Sequence, residues 1–419
     1  MRRPAPRSAE PITRVPGMRA LLTMSALGFA GYALLLPVAP LRAVHGGADS
    51  GGAGLVNAVL MLATVVTQTT MPTALRRIGW RPTMVAGVLL LGLPSALFLL
   101  TDALPWLLVL SAVRGMGFAV LTVCGSSAVA ALVDGLRHGR AIGVYGLSIA
   151  IPQLLLVPSA AWIAETLDFA VVFALGALPV LAVPAAALLG RRLERMTADD
   201  AGPAQSRTVP SGSEQAGQAG QAGKVRPVGG RWRVLLGLAL PSFVLLVVTT
   251  PGGALLTFTP QFAGSASLAV IGLLGFTAAT AFSRWAVGGP ADRYGPRVFV
   301  APLLGLCAAG LVLCAWAIAD GGTRPVALVL GMTVVGLTYG SLQNLTLVEA
   351  FAAVPRRQHP TASTVWNIGF DAGTGLGSLV VGFIAAGAGF GAGLATTAAV
   401  CVVAAVAVLV AGRSTVRAR

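Results

Sequence analysis

The chain has 419 residues, of which 56% are hydrophobic and 10% charged, whereas an ordinary soluble domain carries about 25% charge. A mean hydropathy of +0.83 excludes a single soluble core. The net charge of +15 would suit a polyanion only if it were gathered on one surface, and its arginines are dispersed between apolar runs, which excludes nucleic-acid binding.

In chain order, Arg2, Arg3 and Arg7 precede the first apolar run. That run is longer than the roughly 7 to 15 residues of a signal core and reaches His45 without a clear cleavage site. It reads as a retained first span behind a cytoplasmic tail at 1–18. A membrane helix needs about 20 apolar residues. Spans of that kind fall at 19–41, 51–75, 82–101, 105–133, 139–164 and 169–190, building a first six-helix bundle over 19–190. The stretch 191–232, with Gln-Ala-Gly repeats and no apolar periodicity, reads as a flexible cytoplasmic linker. A second bundle over 233–412 carries spans at 233–259, 266–288, 298–319, 324–352, 361–387 and 388–412, followed by a cytoplasmic tail at 413–419. The last division is weakly marked, because Ala385 to Gly389 are all small and uncharged.

Basic residues occupy alternate gaps: Arg76, Arg77 and Arg81, then Arg137 and Arg140, then Arg293 and Arg297, then Arg356 and Arg357. The other gaps hold Arg42 and Arg324 against Asp49, Asp102, Glu165, Asp168 and Asp320. Positive loops stay on the cytoplasmic side, so the chain crosses an even number of times with both termini cytoplasmic. The fold expected is an all-α membrane protein of twelve helices in two pseudo-symmetric bundles. Arg77, Gly79 and Arg81 recur as Arg293, Gly295 and Arg297, 216 residues later, and a parallel repeat of this kind places a ligand site between the halves near the midplane. Lys224 is the single lysine, a composition associated with GC-rich bacterial genomes and therefore with a bacterial plasma membrane.

Gly288-Gly-Pro-Ala-Asp-Arg-Tyr-Gly-Pro-Arg297 resembles the loop signature of the major facilitator superfamily and lies between spans eight and nine, where that family carries it. The glycines permit a tight reversal, and Asp292 and Arg293 can supply ion-pair and helix-terminus contacts that hold one conformational state. In the first-half copy Pro72 replaces the leading glycine and Arg76 the acid, so the lock there is weakened or rebuilt. Arg114-Gly-Met-Gly117 resembles the family's fourth-span arginine motif. Pro158, Phe169 and Phe173 resemble its exporter motif, with Val157, Ala161 and Trp162 at the glycine positions. The resemblance implies secondary transport of a small molecule by a monomer without cofactor. It implies export of a drug-like or secondary metabolite against protons, with uptake of a sugar, amino acid or other metabolite by symport or uniport as the alternative.

Ionisable groups at membrane depth cost about 2.5 to 3.5 kcal/mol on insertion scales and should face a cavity or partner. Asp371 shares a helical face with Thr364, Asn367, Gly375 and Ser378 and is the candidate for proton coupling or cation recognition, the alternative being a structural acid bonded to a neighbouring helix. Arg114 stays charged at any accessible pH, so it orients an anionic group or bonds backbone carbonyls. Asn57, Met61, Thr64 and Gln68 form a stripe in the second span, as do Tyr339, Gln343 and Thr346 in the tenth. Gln68 and Gln343 are the cavity candidates, with interhelical hydrogen bonding as the alternative. Arg284 can snorkel to the cytoplasmic end of the eighth span, and Glu349 serves gating or topology at the end of the tenth. The glycine-rich Gly46 to Gly54 lacks a phosphate loop's Gly-Lys-Ser/Thr ending. Gly373, Gly375 and Gly377 read as close helix packing. Four cysteines within spans and three dispersed histidines give no metal-binding spacing, and no nucleophile, base and acid arrangement suggests an enzyme.

Overall fold

The computed structural model describes residues 11–133, 138–200, 230–319, 322–355 and 358–417. The first ten residues, Arg137, the linker body at 201–229 with Lys224, Asp320, Arg356, Arg357 and residues 418–419 lie outside the described residues. Helices α1 (Met18–His45), α2 (Ser50–Arg77), α3 (Trp80–Leu97), α4 (Leu104–Leu132), α5 (His138–Thr166), α6 (Phe169–Gly176) and α7 (Val183–Asp200) build the first half. The second comprises α8 (Gly230–Phe262), α9 (Ala266–Ala286), α10 (Gly288–Tyr294), α11 (Arg297–Ala317), α12 (Pro325–Ala352) and α13 (His359–Arg417). There is no strand among the described residues.

Three departures from one helix per span have local causes. The sixth span is α6 and α7 joined by a 3-10 turn at Leu178–Ala182, where Pro179 and Pro184 remove two helical N–H donors. The eighth continues from α9 into α10 past the two glycines at 288 and 289. Helix α13 is apolar over the 50 residues Thr361–Val410, about 75 Å of helix at 1.5 Å per residue, more than twice a hydrocarbon core of about 30 Å. Gly389, at φ 83 and ψ 161, interrupts it, so α13 is two crossings and the chain makes twelve. The small-residue run at 385–389 supplies that reversal without a polar loop.

The stretch read as linker begins later than its composition suggests. Helix α7 runs on to Asp200, because Leu189 and Leu193 are buried and Met196 packs against the same core, a spacing that puts all three on one face. At the other border α8 starts at Gly230.

The internal repeat is visible in caps and turns. Asp49 accepts from Gly52 N at 2.7 Å to start α2, and Ser265, 216 residues on, accepts from Leu268 N at 3.3 Å to start α9, each satisfying a helix-end donor. Gly79 and Gly295 have φ of 95 and 83 respectively, the left-handed region in which a side chain is strained.

The halves meet along α2 against α13, α5 against α9 and α1 against α8. At the end away from the arginine-bearing turns the approach is close. A Cβ on Gly54 would fall on the Ser378 carbonyl oxygen, and one on Gly382 would lie 2.7 Å from that of Ser50. Without a hydrophobic drive between helices in lipid, such small-residue contact supplies much of the packing. Gly373 and Gly377 seat α13 on α8 at Leu246, Thr249 and Thr250, while Gly375 faces Met61 of α2. This wedge holds Asp371 at the seam between the halves.

Candidate functional site: a buried acid where the halves meet

Asp371 is 3% exposed, and its Oδ2 accepts from Gln68 Nε2 at 2.7 Å. The bond joins α13 to α2 across the seam. Gln68 makes a longer contact to Thr122 Oγ1, 3.4 Å, and its Oε1 is buried without a partner. An amide with one hand joined to a carboxylate and the other empty is poised to accept a hydrogen from a protonated acid.

Two turns toward the close-packed end a second network joins the halves. Asn57 Nδ2 donates to Leu36 O at 2.8 Å and to Thr257 Oγ1 at 2.9 Å, and Thr257 Oγ1 lies 2.8 Å from Ser378 Oγ. These bonds link α1, α2, α8 and α13. Asn57 and Ser378 stand on the polar stripes, but Thr257 sits in an apolar run with no periodicity to mark it.

Two tyrosines flank the acid. Tyr32 stacks on Phe118 with centroids 4.0 Å apart and lies within electrostatic range of Asp371 and Arg114. Tyr339 lies 5.2 Å from the Phe276 ring and 6.2 Å from Phe370. Gln343 is 1% exposed with Nε2 unpartnered. Asp371 and Gln68 are therefore joined at the seam, while Gln343 stands one turn along α12 from Tyr339. Asn367 is partly exposed and donates back to Ser363 O at 2.8 Å, so it lies toward the arginine-bearing end and does not join the acid. Tyr32 escaped the sequence reading because the first span shows no polar stripe around it.

Arg114 is 1% exposed. Its Nε donates to Ser95 Oγ at 3.1 Å, one terminal nitrogen donates to Gly31 O at 3.3 Å, and its guanidinium lies 5.8 Å from the Phe98 ring centre. No carboxylate pairs with it among the described residues. It stands behind Tyr32, and Phe98 continues to Phe173 at 5.5 Å and Phe169 at 6.0 Å from Phe173.

In the loop signature Gly288 opens α10 and Gly295 makes the left-handed turn. Asp292 is exposed and forms no ion pair among the described residues, and the Arg293 guanidinium lies 5.3 Å from the Tyr294 ring. The engaged member is Arg297, whose Nε lies 3.5 Å from Glu349 Oε1. That oxygen has no aligned hydrogen bond and Arg297 is 79% exposed, so the contact is an ion pair of small worth. The first-half turn is rebuilt: Glu194 Oε1 of α7 accepts from Arg81 N at 2.8 Å, doing from the same bundle what Arg76 cannot.

Arg284 is solvent-accessible, and its backbone carbonyl accepts from Asn344 Nδ2 of α12 at 2.7 Å.

Comparison with solved structures aligns almost the whole chain. A bacterial homologue of the human lysosomal transporter Spinster, in an inward-facing unoccupied conformation, matches at TM-score 0.70 and 14% identity over 98% of this chain and 99% of that one. A peptide transporter POT variant in complex with sulfate matches at TM-score 0.70 and 15% identity over 96% and 95%. At such identities the likeness is one of fold. No curated protein matches. Residues 21–350 match the Major Facilitator Superfamily, and with twelve crossings in two repeated bundles the chain belongs to that family.

Proposed function

We propose that this protein is a proton-coupled secondary active transporter, working as a monomer in a bacterial plasma membrane with both termini in the cytoplasm, and that it exports a small drug-like or secondary metabolite by alternating access. The observation that carries the reading is the Gln68–Asp371 bond: one buried acid sits on the seam that must part when the halves rock. Protonation removes its charge and lets the acid donate to the empty Gln68 Oε1, pairing amide and acid twice. Loss of the proton leaves a charge in a dry seam, which costs free energy unless the seam opens to water. The proton thereby shifts the equilibrium between two packings, as any ligand with unequal affinity for them does. The positive-inside distribution makes the arginine-bearing end cytoplasmic. With Gly54 and Gly382 packed tightly at the other end and Asn367 and Arg284 accessible, the conformation reads as inward-open.

A second reading, uptake by proton symport, is favoured by the fifth span, where Val157 and Ala161 are each 1% exposed and packed in place of the exporter motif's glycines. Purified protein in vesicles, given a pH gradient of either sign and a panel of candidate substrates, separates the two. Export requires substrate to move against the proton flow; symport requires movement with it. In either case Asp371→Asn is expected to reduce gradient-driven flux at least about tenfold while preserving the fold. Undiminished flux in that variant overturns the assignment of Asp371.

A further inference from the structure

Asn57 and Gln68 share one face of α2, about three turns apart. Both are 1% exposed, both donate across the seam, and each keeps a buried oxygen without a protein partner. They differ in what they meet. Gln68 meets an acid, whereas Asn57 meets a carbonyl and a hydroxyl, neither of which changes charge.

The carbonyl is available because of a proline. Within α1 the Leu36 oxygen would accept from the residue four further on, but that residue is Pro40 and has no N–H. One hydrogen of Asn57 Nδ2 takes its place at 2.8 Å, inside the first half. The other crosses to Thr257 Oγ1 at 2.9 Å, and Thr257 is bonded within the second half to Ser378 Oγ at 2.8 Å. Parting the halves there therefore breaks a single bond of this network. Thr257 and Ser378 are wholly buried, and the Phe258 ring lies 3.2 Å and 3.0 Å from where Cβ atoms on Gly54 and Gly382 would stand.

A buried amide that loses one partner is left with a bare donor, which is costly, whereas apolar groups in place of the polar ones cost little. Asn57 thus holds the closed packing weakly. Its Nδ2 bond aligns the halves, and its unpaired Oδ1 favours a seam opened to water. We infer that Asn57 is a positioning residue of the transport cycle: it keeps this end of the seam releasable and sets the balance between closed and open packings there through groups that do not titrate. The inference rests on the alternating-access reading and adds a fastening that the proton does not control.

The test reads opening at this end without gradient or substrate. The four native cysteines are buried, so the alkylation rate of a Ser50→Cys variant in vesicles at one pH follows the open population. Thr257→Val leaves Asn57 a bare donor and should raise that rate at least about fivefold. Asn57→Leu makes the seam apolar at that point and should lower it at least about threefold, and the double variant should follow Asn57→Leu. The Leu36 carbonyl loses its donor in Asn57→Leu, which a lower midpoint of unfolding reports separately. Disruption of structure alone would move both single variants the same way. Two single variants that both react faster, rates unchanged in both folded proteins, or a double variant that follows Thr257→Val overturns the inference. The same order is expected with Asp371→Asn present; an order that disappears there would mean that Asn57 works through the acid, which also overturns it. Gradient-driven flux undiminished by Asp371→Asn, with the order intact, would instead fault the coupling reading.

Discussion

Arg114 shows how a single residue can be buried and charged with no carboxylate beside it among the described residues. Its charge is spread over Ser95 Oγ, the Gly31 carbonyl and the Phe98 face, partners that α3 and α1 supply from opposite sides. Removing one should be felt as a buried donor deprived of its acceptor. Ser95→Ala is expected to destabilise the purified protein by about 1 to 3 kcal/mol, read as a lower midpoint of thermal unfolding, with proton-driven flux per folded molecule kept. A fall in flux without a fall in stability would give Arg114 a part in transport and place it beside Asp371. The residue itself was legible in the sequence, since an arginine in an apolar run demands a partner. Its partners were not, because Ser95 and Gly31 are unremarkable in their own helices and become specific only when three helices converge.

At the scale of elements, the approach of α2 to α13 depends on glycines. Gly54 leaves no room for a Cβ beside the Ser378 carbonyl, so a bulkier side chain must separate the helices at the end away from the arginine-bearing turns. Gly54→Val should shift the population toward the packing that is open there. A cysteine at Ser50 should then react faster with a membrane-impermeant thiol reagent from outside, and one at Asn367 more slowly from inside. Unchanged reactivity at both positions would mean that the contact does not seal the seam. Helix count and order followed from apolar run length alone, and the hidden turn before α13's second crossing was marked by its small residues. Pairing between helices was much less legible. A stripe such as Asn57 to Gln68 says which face is polar but not which helix it meets.

For the whole molecule, the two signature turns have parted company. The first is tied to its own bundle through Glu194 and Arg81, while in the second Asp292 forms no ion pair among the described residues. An acid without a partner in one conformation contributes through the other. Asp292→Asn is therefore expected to alter stability by no more than about 0.5 kcal/mol while changing the rate of exchange between inward-open and outward-open states, measurable by single-molecule distance fluctuation between the bundles. A loss of ligand affinity with unchanged exchange would contradict this. The signature named the loop, but its altered first copy gave no hint that Glu194, over a hundred residues away in sequence, would complete it.

The 216-residue register between Gln68 and Arg284 bears on how firmly the seam can hold. An arginine on α2 as well would face Asp371 directly and convert a neutral donor's bond into a buried ion pair, whose disruption typically costs about 3 to 5 kcal/mol. Such a joint would stay shut for most of a working cycle. The amide gives a fastening strong enough to align the halves and weak enough to release. In mechanical terms, the joint is a clasp and not a weld.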